Sequence, residues 1–357
     1  MYSSIQWLNY VATSNLSCRQ FKSVVEKNVH GVLKEGLCEE SLLPGLFETG
    51  EAEPCDKVKA WFDWASAKPN RQLICLSDSD YPPLLSELAD PPRLLFCEGR
   101  LDLLAAPQLG MVGTRHPTMS GREDAYLFAR ALSAEGLVIT SGLAAGIDAA
   151  AHEGALDIQG GTVAVLGCGI DRIYPRQHER LFEQIRSGGL IVSEYPPGTP
   201  PRAHQFPVRN RIVSGLSKGV LVVEASLDSG SLITARHALE QNRDVFAIPG
   251  SIHNPAAKGC HRLLKDGAML VETVEDVLEG LGHDCQKLQT MRSPHTSLPL
   301  PTPPLDRLLS CVDRHGSTLE SVLSRSDLPV SGVVSGLMSL CFSGHLRESD
   351  GRYHRVD

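Results

Sequence analysis

The sequence predicts an α/β protein organised around a Rossmann-like, doubly wound parallel sheet, with a helical N-terminal domain and a small C-terminal winged-helix module. Two observations predict the sheet. Six short runs rich in Val, Ile or Leu are bounded by glycine, proline or polar residues: QLGMV, LVIT, TVAVLG, LIVSE, GVLVVEA and DVFAIPG. Helical stretches such as GREDAYLFARALSAEG and SLITARHALEQN separate most of them. Buried strands that alternate with helices indicate βαβ units, and right-handed crossovers place helices on both faces.

The first part of the chain, residues 1–104, is predicted to be a helical domain with a lead-in to the sheet. Trp61, Phe62 and Trp64 lie at helical spacing, and the proline-rich stretch YPPLLSELADPPRLLF follows them. The Gly-rich alternation of strands and helices then assigns residues 105–282 to the Rossmann-like domain.

The C-terminal part is predicted to be a linker followed by a separate small unit. Residues 283–304 carry five prolines and little apolar content, which is typical of a flexible linker. Residues 305–357 contain two helices, a third with one apolar stripe, and a closing hairpin, the order of a winged helix. The third helix takes the place of a recognition helix. Because no Lys or Arg lies between Leu328 and Leu346, we favour a protein-interaction or structural role over duplex binding.

Composition limits the class of protein. The 357 residues suffice for two to three domains with sizeable cores. Ten scattered cysteines without a CxxC pair indicate reduced thiols and a cytoplasmic location rather than a disulfide framework or a zinc ribbon. No apolar stretch approaches the ~20 residues of a membrane span, so we expect no membrane partner. The N-terminus lacks a basic start followed by a long apolar run, so we expect no secretory signal. The net charge of −8 weighs against nucleic acid, although local charge matters more.

Small polar residues follow several of the predicted strands, where parallel sheets bind their ligands. The candidates at these strand ends are Arg115, Ser141, Gly142, Ser229 and Ser231. Free N–H groups at the following helix starts attract anions. Tight turns also carry glycine for structural reasons alone, but several such turns, one with an arginine directly behind a strand, favour anion binding. The absence of GxxxxGK[ST] argues against a Walker-type nucleotide site, and we expect no cofactor.

The segment PPGTPPRAHQFPVRNRIVSGLSKG is a basic island in an acidic chain, because no Asp or Glu lies between Glu194 and Glu224. Its binding candidates are Arg202, Phe206, Arg209, Arg211 and Lys218. Such a run is an electrostatic footprint of nucleic acid. Arg209 and Arg211 are predicted to hold successive phosphates and Phe206 to stack on a base. The alternative is that Phe206 anchors the core and the arginines pair with distant carboxylates.

The sequence contains no convincing arrangement of catalytic side chains, so we expect neither catalytic residues nor a metal site. Asp148 and His152 share a helix face at a spacing that metal sites use, but no third ligand is evident. Ser141 lacks the GxSxG elbow. Cys168 follows a strand, where a small buried residue is favoured over a reactive thiol.

Eight blocks in the middle of the chain, taken in order, resemble the DprA (Smf) family of DNA-processing proteins: VGTR, SGLAAGIDAAAH, LGCGIDRIYP, SEYPPG, FPVRNRIVSGLS, VVEASLDSGSLITA, IPGSI and KGCHRLLKDGA. The stretch DSDYPPLLSELADPPRLLFCEG resembles the family's lead-in, and the C-terminal unit resembles its winged-helix module. Such families often carry a SAM-like or helix–hairpin–helix-like domain first, but residues 1–60 show no clear GxG hairpin.

The resemblance implies a single-stranded DNA-binding protein that protects incoming DNA and loads the RecA recombinase during natural transformation, without catalytic turnover. It implies a homodimer through the Rossmann-like domain and single-strand-binding protein as a further partner. By position, Arg115 matches the family's phosphate-contacting arginine. Phe206, Arg209, Asn210 and Arg211 match the FxxRNR block at its DNA groove.

Two rival functions are open at this point. One is an enzyme on the same fold that cleaves the N-glycosidic bond of a nucleoside phosphate, which requires a carboxylate at the sugar. Glu224, at the end of a strand, is the candidate, although it is as well placed to orient Arg or Ser side chains. The other rival is a regulatory scaffold that binds only proteins through its acidic surface and winged helix.

Overall fold

A computed structural model describes the protein over residues 11–13, 18–29, 55–282, 305–313, 316–326, 328–342, 345–349 and 351–356. Residue contacts divide the chain into two compact units, Met1–Cys285 and Gln286–Asp357. The predicted linker, residues 283–304, lies outside the described residues, as does most of the stretch before residue 55. The boundaries of the predicted domains stay predictions.

The first unit is built on a nine-stranded sheet in the order β1-β2-β6-β5-β4-β3-β7-β8-β9. Its strands are β1 (Arg71–Cys75), β2 (Leu94–Gly99), β3 (Gln108–Val112), β4 (Val138–Ser141), β5 (Thr162–Leu166), β6 (Leu190–Ser193), β7 (Gly219–Val222), β8 (Asp244–Ala247) and β9 (Met269–Leu270). Strands β3 to β9 pair in parallel. All six predicted strands are present as β3 to β8, which confirms the α/β fold class.

The sheet also extends into the stretch that the sequence assigns to a helical N-terminal domain. Strands β1 and β2 pair antiparallel, and β2 joins the sheet antiparallel to β6. Their sequences, RQLIC and LLFCEG, are apolar runs of strand length, and β2 is almost wholly buried. Burial against neighbouring strands stabilises these two strands even though the sequence between them is rich in proline. The helical prediction for residues 1–104 therefore does not hold at β1 and β2.

Helices connect the parallel strands and cover the sheet. The helices of the first unit are α1 (Cys18–Val29), α2 (Asp56–Ser66), α3 (Pro83–Ser86), α4 (Met119–Ala134), α5 (Ile147–Asp157), α6 (Glu179–Gly188), α7 (Gln205–Leu216), α8 (Ser231–Glu240), α9 (Lys258–Lys265) and α10 (Val274–Gly280). Helix α5 packs against α4 and α6, whereas α7 packs against α8. The helices thus form the two layers of a doubly wound sheet. Within the described residues, no helix is long and apolar enough to cross a membrane.

The described residues of the second unit form three helices and a small antiparallel sheet. Its elements are α11 (Leu305–Ser310), β10 (Ser317–Thr318), α12 (Leu319–Arg325), α13 (Val330–Phe342), β11 (Leu346–Ser349) and β12 (Arg352–Arg355), with strand order β10-β12-β11. A separate core contains Leu308, Val322, Val333, Leu337 and Leu340. The helices and closing hairpin occur in the predicted order, and the winged-helix assignment stays a prediction.

Candidate nucleic-acid interface

The order of the strands creates a crevice at the centre of the sheet. Strands β4, β5 and β6 extend to one side of β3, whereas β7 and β8 extend to the other. Loops that leave β3 and β7 therefore diverge, and open α/β sheets bind ligands at such a switch point, outside the carboxyl ends of the strands. A cleft of about 520 Å³ opens there. The Thr114 amide donates to the Glu224 carbonyl oxygen at 2.7 Å, which ties the two loops together at the cleft floor.

The cleft gathers most of the predicted site residues from four separate segments. Its lining includes Arg115, Gly142, Phe206, Arg209, Asn210, Ser229 and Ser231. Ser141, Arg202, Arg211 and Lys218 are not part of the lining. Gly146, at the turn before α5, has a φ of +83°, and a Cβ there would lie 2.4 Å from the Thr114 carbonyl oxygen. Only glycine therefore lets the loops after β3 and β4 approach this closely.

Arg115 is the free cation of the cleft. It is exposed, and within the described residues its guanidinium has no ion pair or hydrogen bond to protein. Across the cleft, Gly230 directly precedes α8, and the Ser229 and Ser231 hydroxyls are 2.6 Å apart at that helix start. The N-terminus of a ten-residue helix carries partial positive charge. The amides of Ser231, Leu232 and Ile233 already donate to the Ser229 hydroxyl and to the Ser229 and Gly230 carbonyl oxygens. This part of the cleft suits a phosphate group.

An aromatic pair occupies another wall of the cleft. The Tyr174 and Phe206 rings have centroids 5.1 Å apart and planes inclined by 36°. Phe206 is half-buried over Gly167, where a Cβ would lie 2.8 Å from its ring, so this residue is both packed and partly accessible. Tyr174 is 44% exposed and is not among the residues predicted from the sequence. Its signal was an aromatic residue in the turn that follows β5.

Arg209 lines the cleft but is almost wholly buried. Its side chain is buried, and its Nη1 donates to the carbonyl oxygens of Gly142, at 2.7 Å, and Val165. Burial lowers the pKa of the Arg209 guanidinium, and the charge of Asp148 opposes that effect. Burial likewise raises the pKa of Asp148, against the charge of Arg209. Each of the two buried side chains hydrogen-bonds the main chain of the turn after β4 and so supports that turn.

The main-chain donors of the turn after β4, which the sequence suggests as anion-binding groups, are already used within the protein. Asp148 Oδ2 accepts from the amides of Gly142, at 3.1 Å, and Ala144, at 3.3 Å. The Ser141 hydroxyl is fully buried and donates to the Met111 carbonyl oxygen at 2.6 Å. The Ser141 hydroxyl and the Gly142 amide are therefore not free to bind an anion.

Arg211 points away from Arg209, as two residues of separation on a helix predict. It is buried, and its Nη2 lies 2.7 Å from Glu194 Oε1, while its Nε lies 3.6 Å from Asp90 Oδ2. The side chain thus joins α7 to the end of β6 and to the lead-in before β2. For Arg211 the structure thus agrees with the alternative stated in the sequence analysis, in which an arginine of the basic island pairs with distant carboxylates.

The two remaining predicted cations are both exposed but lie at different edges of the sheet. Arg202 belongs to the connection between β6 and α7, and its amide donates to Gln205 Oε1 at 2.8 Å. Lys218 precedes β7, and its amide donates to the carbonyl oxygen of Gln108, the first residue of β3, at 2.9 Å. Lys218 therefore lies at the amino-terminal edge, opposite the cleft.

The candidates for catalysis are engaged in structural contacts. Glu224 accepts from the Thr118 amide and hydroxyl at 2.8 and 3.0 Å and from Asn254 Nδ2 at 3.0 Å. His152 is buried with its Nδ1 2.7 Å from the Thr162 hydroxyl, and burial lowers its pKa to about 3. Cys168 is buried, which raises its pKa to about 11. The part of the chain that the structure describes contains no cluster of metal-ligating side chains.

The fold is that of a Rossmann-like protein, and its cleft places an exposed arginine in the same lining as an aromatic pair. A sequence model of one such family, DNA recombination-mediator protein A, matches residues 72–282. The chain belongs to this family.

Two curated relatives cover most of the chain. Protein Smf of Escherichia coli K12 is 44% identical over 309 residues, which are 85% of this chain and 82% of that protein. DNA processing protein DprA of Streptococcus pneumoniae R6 is 49% identical over 271 residues, 74% of this chain and 94% of that protein.

Two solved structures are similar as well. The X-ray structure of DNA processing protein A from Streptococcus pneumoniae has a TM-score of 0.66 at 38% identity and covers 78% of this chain and 98% of its own. DNA processing protein A from Helicobacter pylori, whose structure concerns a single-stranded DNA binding mode, has a TM-score of 0.54 at 33% identity and covers 59% and 95%.

Proposed function

We propose that the chain is a single-stranded DNA-binding protein of DNA processing and that the cleft at the switch point is its binding site. The observation that carries the proposal is the placement of an unpaired Arg115 and the N-terminus of α8 in the same cleft as the Tyr174–Phe206 pair. A cation beside an aromatic platform is the pairing of groups that single-stranded nucleic acid requires. The single-stranded DNA binding mode described for the Helicobacter pylori relative supports the same assignment.

In the proposed complex the two walls of the cleft have separate tasks. Arg115 binds phosphate, and the positive end of α8 with the Ser229 and Ser231 hydroxyls attracts the same group. A base stacks on the exposed ring of Tyr174, with Phe206 behind it, which contributes about 1–3 kcal/mol. Arg209 and Asp148 hold the turn after β4 in place. None of these contacts reads a base edge, so binding is independent of sequence.

We further propose the partners that the family resemblance implies. The bound strand is protected and passed to the RecA recombinase in the cytoplasm, with single-strand-binding protein nearby, and the protein acts as a homodimer. Edge strand β9 supports the dimer, because it pairs only with β8 within the described residues and carries Met269 and Leu270, which are 36% and 51% exposed. An unpaired apolar edge is a template for a second strand.

The test of the proposed function is a comparison of strands. Fluorescence anisotropy with an oligothymidylate and with a blunt duplex of equal length is expected to show tighter binding to the single strand, because paired bases do not offer their faces for stacking. Equal affinity for both would contradict the proposal. Incubation with nucleoside monophosphates tests the enzymatic rival, since release of free base would assign a catalytic role to the cleft.

Lys218→Ala is expected to leave oligonucleotide affinity unchanged within about twofold. The four residues of β7 separate Lys218 from the cleft edge by roughly 13 Å at the rise of a strand. That distance exceeds the screening length of about 8 Å at physiological salt. Titration of the variant beside the wild-type protein checks this, and a clear loss of affinity would mean that DNA also follows the opposite edge.

A further inference from the structure

We propose that Glu224 is a positioning residue for DNA binding, which holds the loop that carries Arg115 in the conformation that presents this cation to the cleft. This inference rests on the proposed function and adds a residue that does not itself contact the strand. Glu224 lies two residues after β7, is 5% exposed and is not part of the cleft lining. Its effect on a ligand therefore passes through the groups that it binds.

Glu224 binds both ends of the loop around Arg115. Its carbonyl oxygen accepts from the Thr114 amide at 2.7 Å, one residue before Arg115. Its carboxylate accepts from the Thr118 amide at 2.8 Å and from the Thr118 hydroxyl at 3.0 Å, three residues after Arg115. The loop of residues 114–118 is thus attached at two points to one residue of a neighbouring connection. A side chain on a loop that is already fixed loses less conformational freedom when it binds a ligand.

The start of α5 provides a further attachment for the same loop. The Ile147 amide donates to the Thr114 carbonyl oxygen at 3.2 Å. A Cβ at Gly146 would lie 2.8 Å from the carbonyl carbon of Arg115, so the loop lies directly on the turn before α5. The backbone of Arg115 is therefore held between two connections, and the freedom that remains to this residue is chiefly that of its side chain.

Glu224 also binds the connection after β8, so three connections of the carboxyl edge meet at one carboxylate. Asn254 Nδ2 donates to Glu224 Oε1 at 3.0 Å, and Asn254 Oδ1 accepts from the Ala256 amide at 2.9 Å. Together with the two donors of Thr118, three donors converge on the two carboxylate oxygens. A carboxylate accepts from all three, whereas a glutamine amide would turn its NH2 group toward at least one of them. The arrangement therefore requires the acid.

The sign of the effect distinguishes positioning from simple electrostatics. A carboxylate near a phosphate site repels DNA, so removal of its charge alone would tighten binding. If Glu224 positions Arg115, removal of its charge weakens binding instead, because the loop loses an attachment. Asp228 offers the matched control. It lines the cleft and is exposed, and its carboxylate forms no ion pair or hydrogen bond within the part of the chain that the structure describes.

The experiment measures oligothymidylate affinity and its salt dependence for the full chain with Glu224→Gln, with Arg115→Ala and with both changes. Glu224→Gln is expected to weaken binding about fivefold, because the Arg115 loop must then be ordered on binding, and to flatten the log–log salt slope by up to about 0.7. In the Arg115→Ala background the same change is expected to alter affinity by less than about twofold, because two residues that act through one contact are not additive. Asp228→Asn is expected to leave affinity unchanged or to tighten it.

Gly121→Ala displaces the carboxylate of Glu224 without changing its charge. A Cβ at Gly121 would lie 2.6 Å from Glu224 Oε2. Gly121 lies in α4, where alanine favours the helix more than glycine does, so the helix is expected to stay folded. The variant is expected to weaken DNA binding as Glu224→Gln does, and it decides the outcome if Glu224→Gln does not fold.

The outcomes separate this inference from the proposed function. A wild-type protein that does not bind oligothymidylate refutes the proposed function itself. If the wild type binds and Glu224→Gln and Gly121→Ala bind as tightly or more tightly, Glu224 is not a positioning residue. An equal loss from Glu224→Gln in the presence and in the absence of Arg115 also overturns the inference, because the effect then does not pass through Arg115.

Discussion

Arg115→Ala is expected to weaken binding of a single-stranded oligonucleotide about tenfold or more while leaving the thermal midpoint unchanged. A charge-assisted contact to phosphate is worth roughly 1.5–3 kcal/mol, and tenfold corresponds to about 1.4 kcal/mol. Stability is expected to stay the same because the side chain is exposed and supports no protein group in the described residues. Anisotropy titrations at several salt concentrations measure both quantities needed, the affinity and the salt slope.

The salt slope distinguishes a phosphate contact from an indirect effect. Loss of one contact to a single strand is expected to flatten the log–log slope by about 0.7. Arg115→Lys is the conservative comparison, because it keeps the charge and loses the planar fork; it is expected to restore the slope and part of the affinity. Wild-type affinity and slope in Arg115→Ala would show that this arginine does not touch DNA.

The central fold was predictable because its signals are local. Each of β3 to β8 is a short apolar run between turn residues, and helical periodicity fills the intervals. Strands β1 and β2 were not predicted, because their place depends on pairing with β6 across almost a hundred residues of sequence. The antiparallel edge is therefore a product of tertiary contact rather than of local pattern.

The sequence predicts which segments meet at the site, but it does not predict the contacts of the individual side chains. The strand-end rule brings Arg115, Phe206 and Ser229 to one cleft without any knowledge of contacts. The sequence does not reveal that Arg209 is buried, since its partners lie in the turn after β4 and in β5. A basic island in the sequence shows only that positive charges are present. Burial and pairing in the folded protein decide whether each of these charges faces solvent or supports the fold.

Tyr174 is the converse case, because it lines the cleft but was not predicted from the sequence. Its aromatic ring lies in a turn at the carboxyl edge, 5.1 Å from the ring of Phe206, yet the two residues are in different connections. Aromatic residues in turns are common at surfaces, so the sequence alone gives no reason to pair this one with Phe206. Only the packing of neighbouring connections brings the rings together.

Arg211→Ala is expected to lower the free energy of unfolding by about 3 kcal/mol, because removal of one partner leaves a charged carboxylate of a buried pair uncompensated. The pair with Glu194 is the relevant contact, since that side chain is 18% exposed, whereas Asp90 is 58% exposed and contributes little. The loss is measured by urea unfolding followed through tryptophan fluorescence. The folded variant is expected to bind single-stranded DNA like the wild type, because Arg211 does not line the cleft.

A double-mutant cycle provides the control for Arg211. Glu194→Gln alone is expected to destabilise the protein in the same way, and combining it with Arg211→Ala is expected to cost less than the sum of the two single changes, because contacting residues couple. An unchanged urea midpoint together with a tenfold or larger loss of DNA affinity in Arg211→Ala would contradict this account. Arg211 would then be a direct DNA ligand, reached by opening of the lead-in that carries Asp90, and the binding surface would extend from the cleft across the end of β6.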